Sequence, residues 1–196
     1  MYKIGFPKGN IKKKSLSAIA KILGHEVDQD GLNFSNGKDC EAYLLKHRDI
    51  PLLLQQGRLD FAVASTEWLE ERGADFPILC ALGWSQYRIC LIGSPSKPID
   101  QQKGPTSCVT EYPVIAKEYL KKKGWYDTQL FVVSGSSEGF VPSIYDCCID
   151  CVETGSTLKR QGLVVLDTIL TTDTVLVGRN KELRPDMNLL SAIKAA

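Results

Sequence analysis

No apolar run in this sequence is long enough to span a bilayer, which argues against a helical membrane span. Charge of either sign is scarcely in excess: the formal net charge is +1 over 196 residues. No global field therefore draws the chain to nucleic acid or to an acidic membrane. Histidine is nearly missing, with only His25 and His47. Neither belongs to a His cluster or to a Ser/His or Cys/His pattern, so a nucleophilic triad and a histidine metal centre are both disfavoured. Repeats, low-complexity tracts and long linkers are absent. No signal peptide is expected, because Met1-Tyr-Lys-Ile-Gly-Phe-Pro7 reads directly as a strand pattern, and a soluble cytoplasmic protein is expected. The seven cysteines are an odd number and carry no secretion signal, which argues against a disulfide framework. Cys148 and Cys151 have C-x-x-C spacing but no second pair, and are expected to be small buried side chains.

What is present suffices for a real core. Apolar residues make up 43% of the chain, and the length suits one large domain or two small ones. Strand patterns alternate with helical patterns throughout, which predicts an α/β fold with mainly parallel sheets. Lys8 follows the first strand at a Pro-Lys-Gly-Asn turn, and residues 11–23 have the apolar spacing of a helix. Lys12, Lys13 and Lys14 read as its solvated face. A helix is expected after Asp49, with Pro51 in its first turn, and another after the Ser65-Thr66 cap. A long apolar strand over 87–92 breaks at a polar Ser/Pro segment, so the chain is expected to cross between two lobes near 84–88. The expected first lobe is 1–87 with 166–196, and the second is 88–165. A closing helix is expected over 182–196.

The densest chemistry lies in residues 146–158, Asp-Cys-Cys-Ile-Asp-Cys-Val-Glu-Thr-Gly-Ser-Thr-Leu. Its first half reads as a buried strand. Its second half reads as a phosphate cradle, in which a glycine frees the backbone to turn and hydroxyls and N–H groups converge. Asp146, Asp150 and Glu153 would repel a bare phosphate. A sugar phosphate reconciles the two, with carboxylates taking ribose hydroxyls or Mg²⁺ and the backbone taking the phosphate. A plain strand, turn and helix cap at Thr154 or Ser156 explains the same residues, so both readings stay open.

Several motifs in order resemble those of the short-form ATP phosphoribosyltransferases, which open histidine biosynthesis. Phe6-Pro-Lys-Gly9 is similar to the family's P-K-G-R turn. Arg48-Asp-Ile-Pro51 with Gly57 and Asp60 is similar to R-x-x-D-I-P…G…D. Thr110-Glu-Tyr-Pro113 resembles A-T-K-Y-P, and Gly135-Ser-Ser-Glu138 resembles G-S-V-E. Residues 150–158, followed by Gly162-Leu163, closely match D-I-V-E-T-G-T-T-L…G-L. The resemblance implies two lobes like those of the type 2 periplasmic binding proteins. It implies Mg²⁺-dependent transfer of the phosphoribosyl group of phosphoribosyl pyrophosphate to N1 of ATP, with release of pyrophosphate. By motif, Asp150, Glu153, Thr154, Gly155, Ser156 and Thr157 would hold phosphoribosyl pyrophosphate, and Asp150 and Glu153 would hold the metal. Lys8, Arg48 and Glu138 would act in catalysis. Lys8, Asn10, Arg48 and Ser136 would contact the acceptor. A homodimer or larger assembly, and a separate regulatory subunit, are further implications.

The departures are specific. Asn10 and Glu111 stand where the resembled motifs carry Arg and Lys, and Ser65-Thr66-Glu67 replaces a G-x-D. Each lost cation at a phosphate corresponds to on the order of 2–3 kcal/mol. They leave three readings: the family reaction on ATP, the same donor with a less charged nitrogenous acceptor, and a non-catalytic binding protein of the same fold.

Overall fold

The computed structural model describes all 196 residues, in two compact units. Unit 1 comprises Met1–Ser85 and Asp173–Ala196; unit 2 is Gln86–Thr172. The first crossing falls in the expected segment, but the second comes seven residues later than the expected 166. The cause is a nine-residue strand, Val164–Thr172, which pairs along its length with Tyr87–Gly93 of unit 2 and cannot leave before that ladder ends.

Unit 1 is built on β1 (Tyr2–Pro7), β2 (Asn33–Ser35), β3 (Cys40–Leu45), β4 (Phe61–Ser65), β5 (Ile78–Ala81) and β11 (Thr174–Gly178), in the order β2-β3-β1-β4-β11-β5. The helices α1 (Lys12–Leu23) and α6 (Met187–Lys194) lay Ala18, Ile19, Leu23, Leu189 and Ile193 on one face, against Ile4, Phe6, Phe61 and Val63. Ile50 and Leu54 of α2 (Ile50–Gln55) and Leu69 of α3 (Thr66–Glu71) cover Ala62, Ala64 and Val175 on the other. Coverage on both faces is why β4 reads as an unbroken apolar run and not an alternation. The closing helix starts at Met187, later than expected. Asn180 accepts the Glu182 and Leu183 amides in a turn, Pro185 cannot continue a helix, and Asp186 caps through the Leu189 amide at 2.7 Å.

Unit 2 contains β6 (Tyr87–Gly93), β7 (Ser107–Thr110), β8 (Gln129–Val132), β9 (Cys147–Val152) and β10 (Val164–Thr172), ordered β10-β6-β9-β7-β8. Its helices are α4 (Pro113–Lys123), closed by left-handed Gly124, and the short α5 (Ser156–Arg160). Five of the seven cysteines are buried, and Cys90 and Cys148 pack with Ile92, Val152 and Leu158 on one face of β9. All three tryptophans are buried too, as packing residues.

The α/β class and the two-lobed organisation are as expected, but the sheets are mixed, not mainly parallel. β3-β1-β4 and β9-β7-β8 are parallel; the remaining pairings are antiparallel. Most antiparallel pairings involve β5, β6, β10 and β11, where the chain passes between units with no helix in between. A parallel pairing needs such a crossover.

Candidate active site

β9 is the central strand of unit 2, hydrogen-bonded to β6 on one side and β7 on the other. Its C-terminal end releases the chain into Glu153, Thr154 and Gly155. Gly155 lies at φ 73°, a left-handed turn that a side chain would strain. Thr154 Oγ1 accepts the Ser156 amide at 3.4 Å and donates to Ser156 Oγ at 3.1 Å. Gly155, and neither hydroxyl residue, is the N-cap of α5. Glu153, Thr154, Gly155, Ser156 and Thr157 line one cavity of about 200 Å³ together with Asp150 and Glu138. Tertiary structure thus gathers Glu138 and the six residues expected to hold phosphoribosyl pyrophosphate.

Asp150 is only 6% exposed, inside an apolar strand. Its charge is met by dedicated donors: the Ser137 amide at 3.0 Å and hydroxyl at 2.5 Å on Oδ2, and the Cys151 amide at 2.7 Å on Oδ1. Glu138 stands beside it, its carboxyl pushed above the ordinary range. Burial is the main cause; its own backbone amide pulls the other way, and the charge and hydrogen bond of Asp150 add to the rise. The neighbouring charge of Asp150 thus disfavours ionisation of Glu138. Ser137 is wholly buried, and sequence reasoning passed over it. The missed signal was that a carboxylate buried in a strand requires a donor, and the hydroxyl-rich loop at 134–138 supplies it. Ser136 occupies the left-handed region at φ 54°.

Asp146 does not belong to this constellation. It precedes β9 and so lies roughly 20 Å of extended strand from the cradle. There it accepts the Thr106 and Ser107 amides at 2.9 and 3.0 Å and pairs with Lys97 at 2.5 Å. Burial opposes its charge, yet Lys97 and these amides hold its carboxyl below the usual range.

Lys8, Asn10 and Arg48 belong to unit 1, at the C-terminal ends of the parallel strands β1 and β3. The Lys8 amide bonds the Leu45 carbonyl at 2.8 Å, and Gly9 turns the chain at φ 92°. Arg48 Nε lies 3.9 Å from Asp49 on a half-exposed surface, which is weak pairing. Asp60 instead meets Arg179 at 3.3 Å. Beside Arg48, His47 Nδ1 is 2.7 Å from Ser65 Oγ, so Ser65 is spent on the imidazole and not on a side-chain cap for α3. Burial lowers the His47 pKa to about 4, against a hydrogen bond to the Lys8 backbone. Lys14 is not wholly on a solvated face: its ammonium donates to the Trp84 carbonyl at 2.9 Å.

The two mixed sheets with their covering helices define a class, the α/β fold of the type 2 periplasmic binding proteins. A Listeria monocytogenes structure described as a putative L-cystine ABC transporter is similar in fold, with a TM-score of 0.65 over 99% of this chain and 89% of that one at 11% identity. A chain of the HisG:HisZ ATP phosphoribosyl transferase complex from Thermotoga maritima is more similar, at TM-score 0.85, 24% identity and full coverage of both chains. The family model described as "HisG: ATP phosphoribosyltransferase" matches residues 46–195. An ATP phosphoribosyltransferase of Clostridium botulinum is 31% identical over 175 residues, covering 85% of this chain and 82% of that relative. One from Campylobacter fetus is 28% identical over 180 residues, covering 91% and 88%. The chain belongs to the ATP phosphoribosyltransferase family.

Proposed function

We propose that this chain transfers the phosphoribosyl group of phosphoribosyl pyrophosphate to N1 of ATP, releasing pyrophosphate in the first step of histidine biosynthesis. The observation that carries the reading is the cradle of Glu153 to Thr157 beside a buried Asp150 held by Ser137 and Cys151, in a chain of this family. In the reaction the ribose C1–oxygen bond breaks, its electron pair leaves with pyrophosphate, and N1 supplies the pair for the new bond. Positive charge develops at the ribose and negative charge on the leaving group, and catalysis requires both to be met better in the transition state than before it. The Thr154 to Thr157 turn binds the 5-phosphate through backbone amides and hydroxyls. Asp150 and Glu138 face the ribose, taking its hydroxyls and the developing positive charge. Lys8 and Arg48 provide cations for phosphates, and Asn10 and Ser136 contact the acceptor.

Mg²⁺ fits the site only in part. No group of three or more His, Cys, Asp or Glu side chains is placed to hold a metal. Asp150 has given three acceptor positions to Ser137 and Cys151, which makes it a poor ligand. Glu153 is exposed and has carboxylate oxygens to offer. One carboxylate plus substrate phosphates is a usual Mg²⁺ environment, so Glu153 would hold an ion that arrives with pyrophosphate. When bound, the ion would neutralise charge on the leaving group.

A homodimer or larger assembly and a separate regulatory subunit are part of the same reading; the Thermotoga relative, described as a HisG:HisZ complex, supports the latter. We assign the chain to the cytoplasm, a reading supported by its membership of a biosynthetic enzyme family; no helix is long and apolar enough to cross a membrane. The test is product detection by mass spectrometry with Mg²⁺, phosphoribosyl pyrophosphate, ATP and pyrophosphatase. Phosphoribosyl-ATP is the expected product. Its absence while phosphoribosyl pyrophosphate still binds would overturn ATP as the acceptor for this chain.

A further inference from the structure

Buried in the loop before β9 is a hydroxyl with one evident task. Ser137 has no exposed surface, and both its amide and its hydroxyl are directed at a single oxygen, Oδ2 of Asp150. The Cys148 thiol also interacts with that hydroxyl. A thiol donates to a hydroxyl oxygen, which leaves the hydroxyl proton for the carboxylate, the stronger acceptor. The backbone that brings Ser137 here is unusual. Gly135 at φ 97° and Ser136 at φ 54° are consecutive left-handed residues, and Ser136 is the one non-glycine residue of the chain with positive φ. Such a conformation persists where the surroundings over-determine it.

We infer that Ser137 is a positioning residue of the phosphoribosyl half-site, pinning Asp150 through Oδ2 so that Oδ1 is the oxygen left for the ligand. The inference rests on the functional reading above and extends it to a residue outside the cradle. An aspartate rotates broadly about its last torsion. Two donors from one residue on one oxygen remove that freedom, and the Cys151 amide at 2.7 Å on Oδ1 completes the clamp. Oδ1 takes one of these donors against two on Oδ2, and the Glu138 carboxyl also hydrogen-bonds Asp150; a ribose hydroxyl entering the cavity lined by both carboxyls and the cradle would compete with Glu138 for that contact. The resembled G-S-V-E motif has valine at this position, which can offer the amide but not the hydroxyl. The hydroxyl clamp is therefore a property of this chain.

Calorimetry and steady-state kinetics on Ser137→Ala, Ser137→Thr, Asp150→Asn and the Ser137→Ala/Asp150→Asn double variant test this. Ser137→Ala fits the existing space and should weaken phosphoribosyl pyrophosphate binding about tenfold, with KM for that substrate rising in step and KM for ATP within about twofold. Ser137→Thr keeps the hydroxyl and should restore most of the affinity. In the Asp150→Asn background the alanine substitution should have little further effect, because the partner charge is gone. Wild-type affinity in Ser137→Ala overturns the inference and leaves the functional reading standing. So does a loss of equal size in the Asp150→Asn background, which would mark a purely structural role and holds even if the threonine variant fails to fold. A wild-type chain that binds no phosphoribosyl pyrophosphate overturns the functional reading and this inference together.

Discussion

Acid should loosen unit 1 through His47, and the size of the effect follows from the structure. Its imidazole is enclosed between Ser65 Oγ, 2.7 Å from Nδ1, and the Lys8 backbone. Burial disfavours the charged ring and takes its pKa from the ordinary 6.5 to about 4. A neutral ring has one donor and one acceptor, which these neighbours can satisfy, whereas a charged ring has two donors. The unfolded chain binds the proton first as pH falls. The stabilisation is therefore complete above the unfolded value near 6.5 and is lost as pH drops towards about 4. Between about pH 7 and about pH 5 that loss should be about 2 kcal/mol, before most carboxylates titrate. Hydrogen exchange of β1, β3 and β4 amides would measure it. His47→Gln keeps a polar side chain but cannot titrate, so it should remove the pH-dependent part while adding a constant loss. Unit 2 is a built-in control, because both histidines lie in unit 1. Identical pH dependence in wild type and His47→Gln would refute the reasoning, as would a change confined to unit 2.

Two other expectations concern unit 2. Thr157→Ala and Glu153→Gln should each weaken phosphoribosyl pyrophosphate binding, by about five- to fiftyfold for loss of a hydrogen bond to a charged group, without lowering Tm; unchanged calorimetric affinity in both would remove the cradle assignment. Asp146→Asn should lower stability by about 1–3 kcal/mol in urea denaturation, since it weakens the acceptor shared by Lys97, Thr106 and Ser107. Its effect should fade as the solution is acidified and wild-type Asp146 is itself protonated, and it should leave ligand affinity alone. A loss of ligand affinity at constant stability would contradict its placement at the far end of β9.

The turn after β9 was legible because its pattern is local. A glycine at φ 73° between hydroxyl residues, after a short apolar strand, is a pattern confined to a few consecutive positions. The alternation of strands and helices was legible for the same reason, since periodicity is written along the chain. Asp146 was misplaced because proximity in sequence is not proximity in space: the six residues of β9 carry it away from Glu153, and three of them from Asp150. The mixed character of the sheets was hidden because strand direction depends on how the chain returns to a sheet, which residue patterns do not encode.

By itself, the sequence determined the α/β class, the two-lobed organisation, the family and the Gly-centred turn after β9, each resting on residues close together or on motifs in order. Only tertiary structure decided which groups answer the buried charge of Asp150, that burial raises the pKa of the Glu138 carboxyl, and that His47 sits between Lys8 and Ser65 with its pKa lowered to about 4. Those outcomes depend on burial and on angstrom-scale placement of donors brought from distant positions. Solvation and hydrogen-bond geometry set them, and neither exists until the chain has folded.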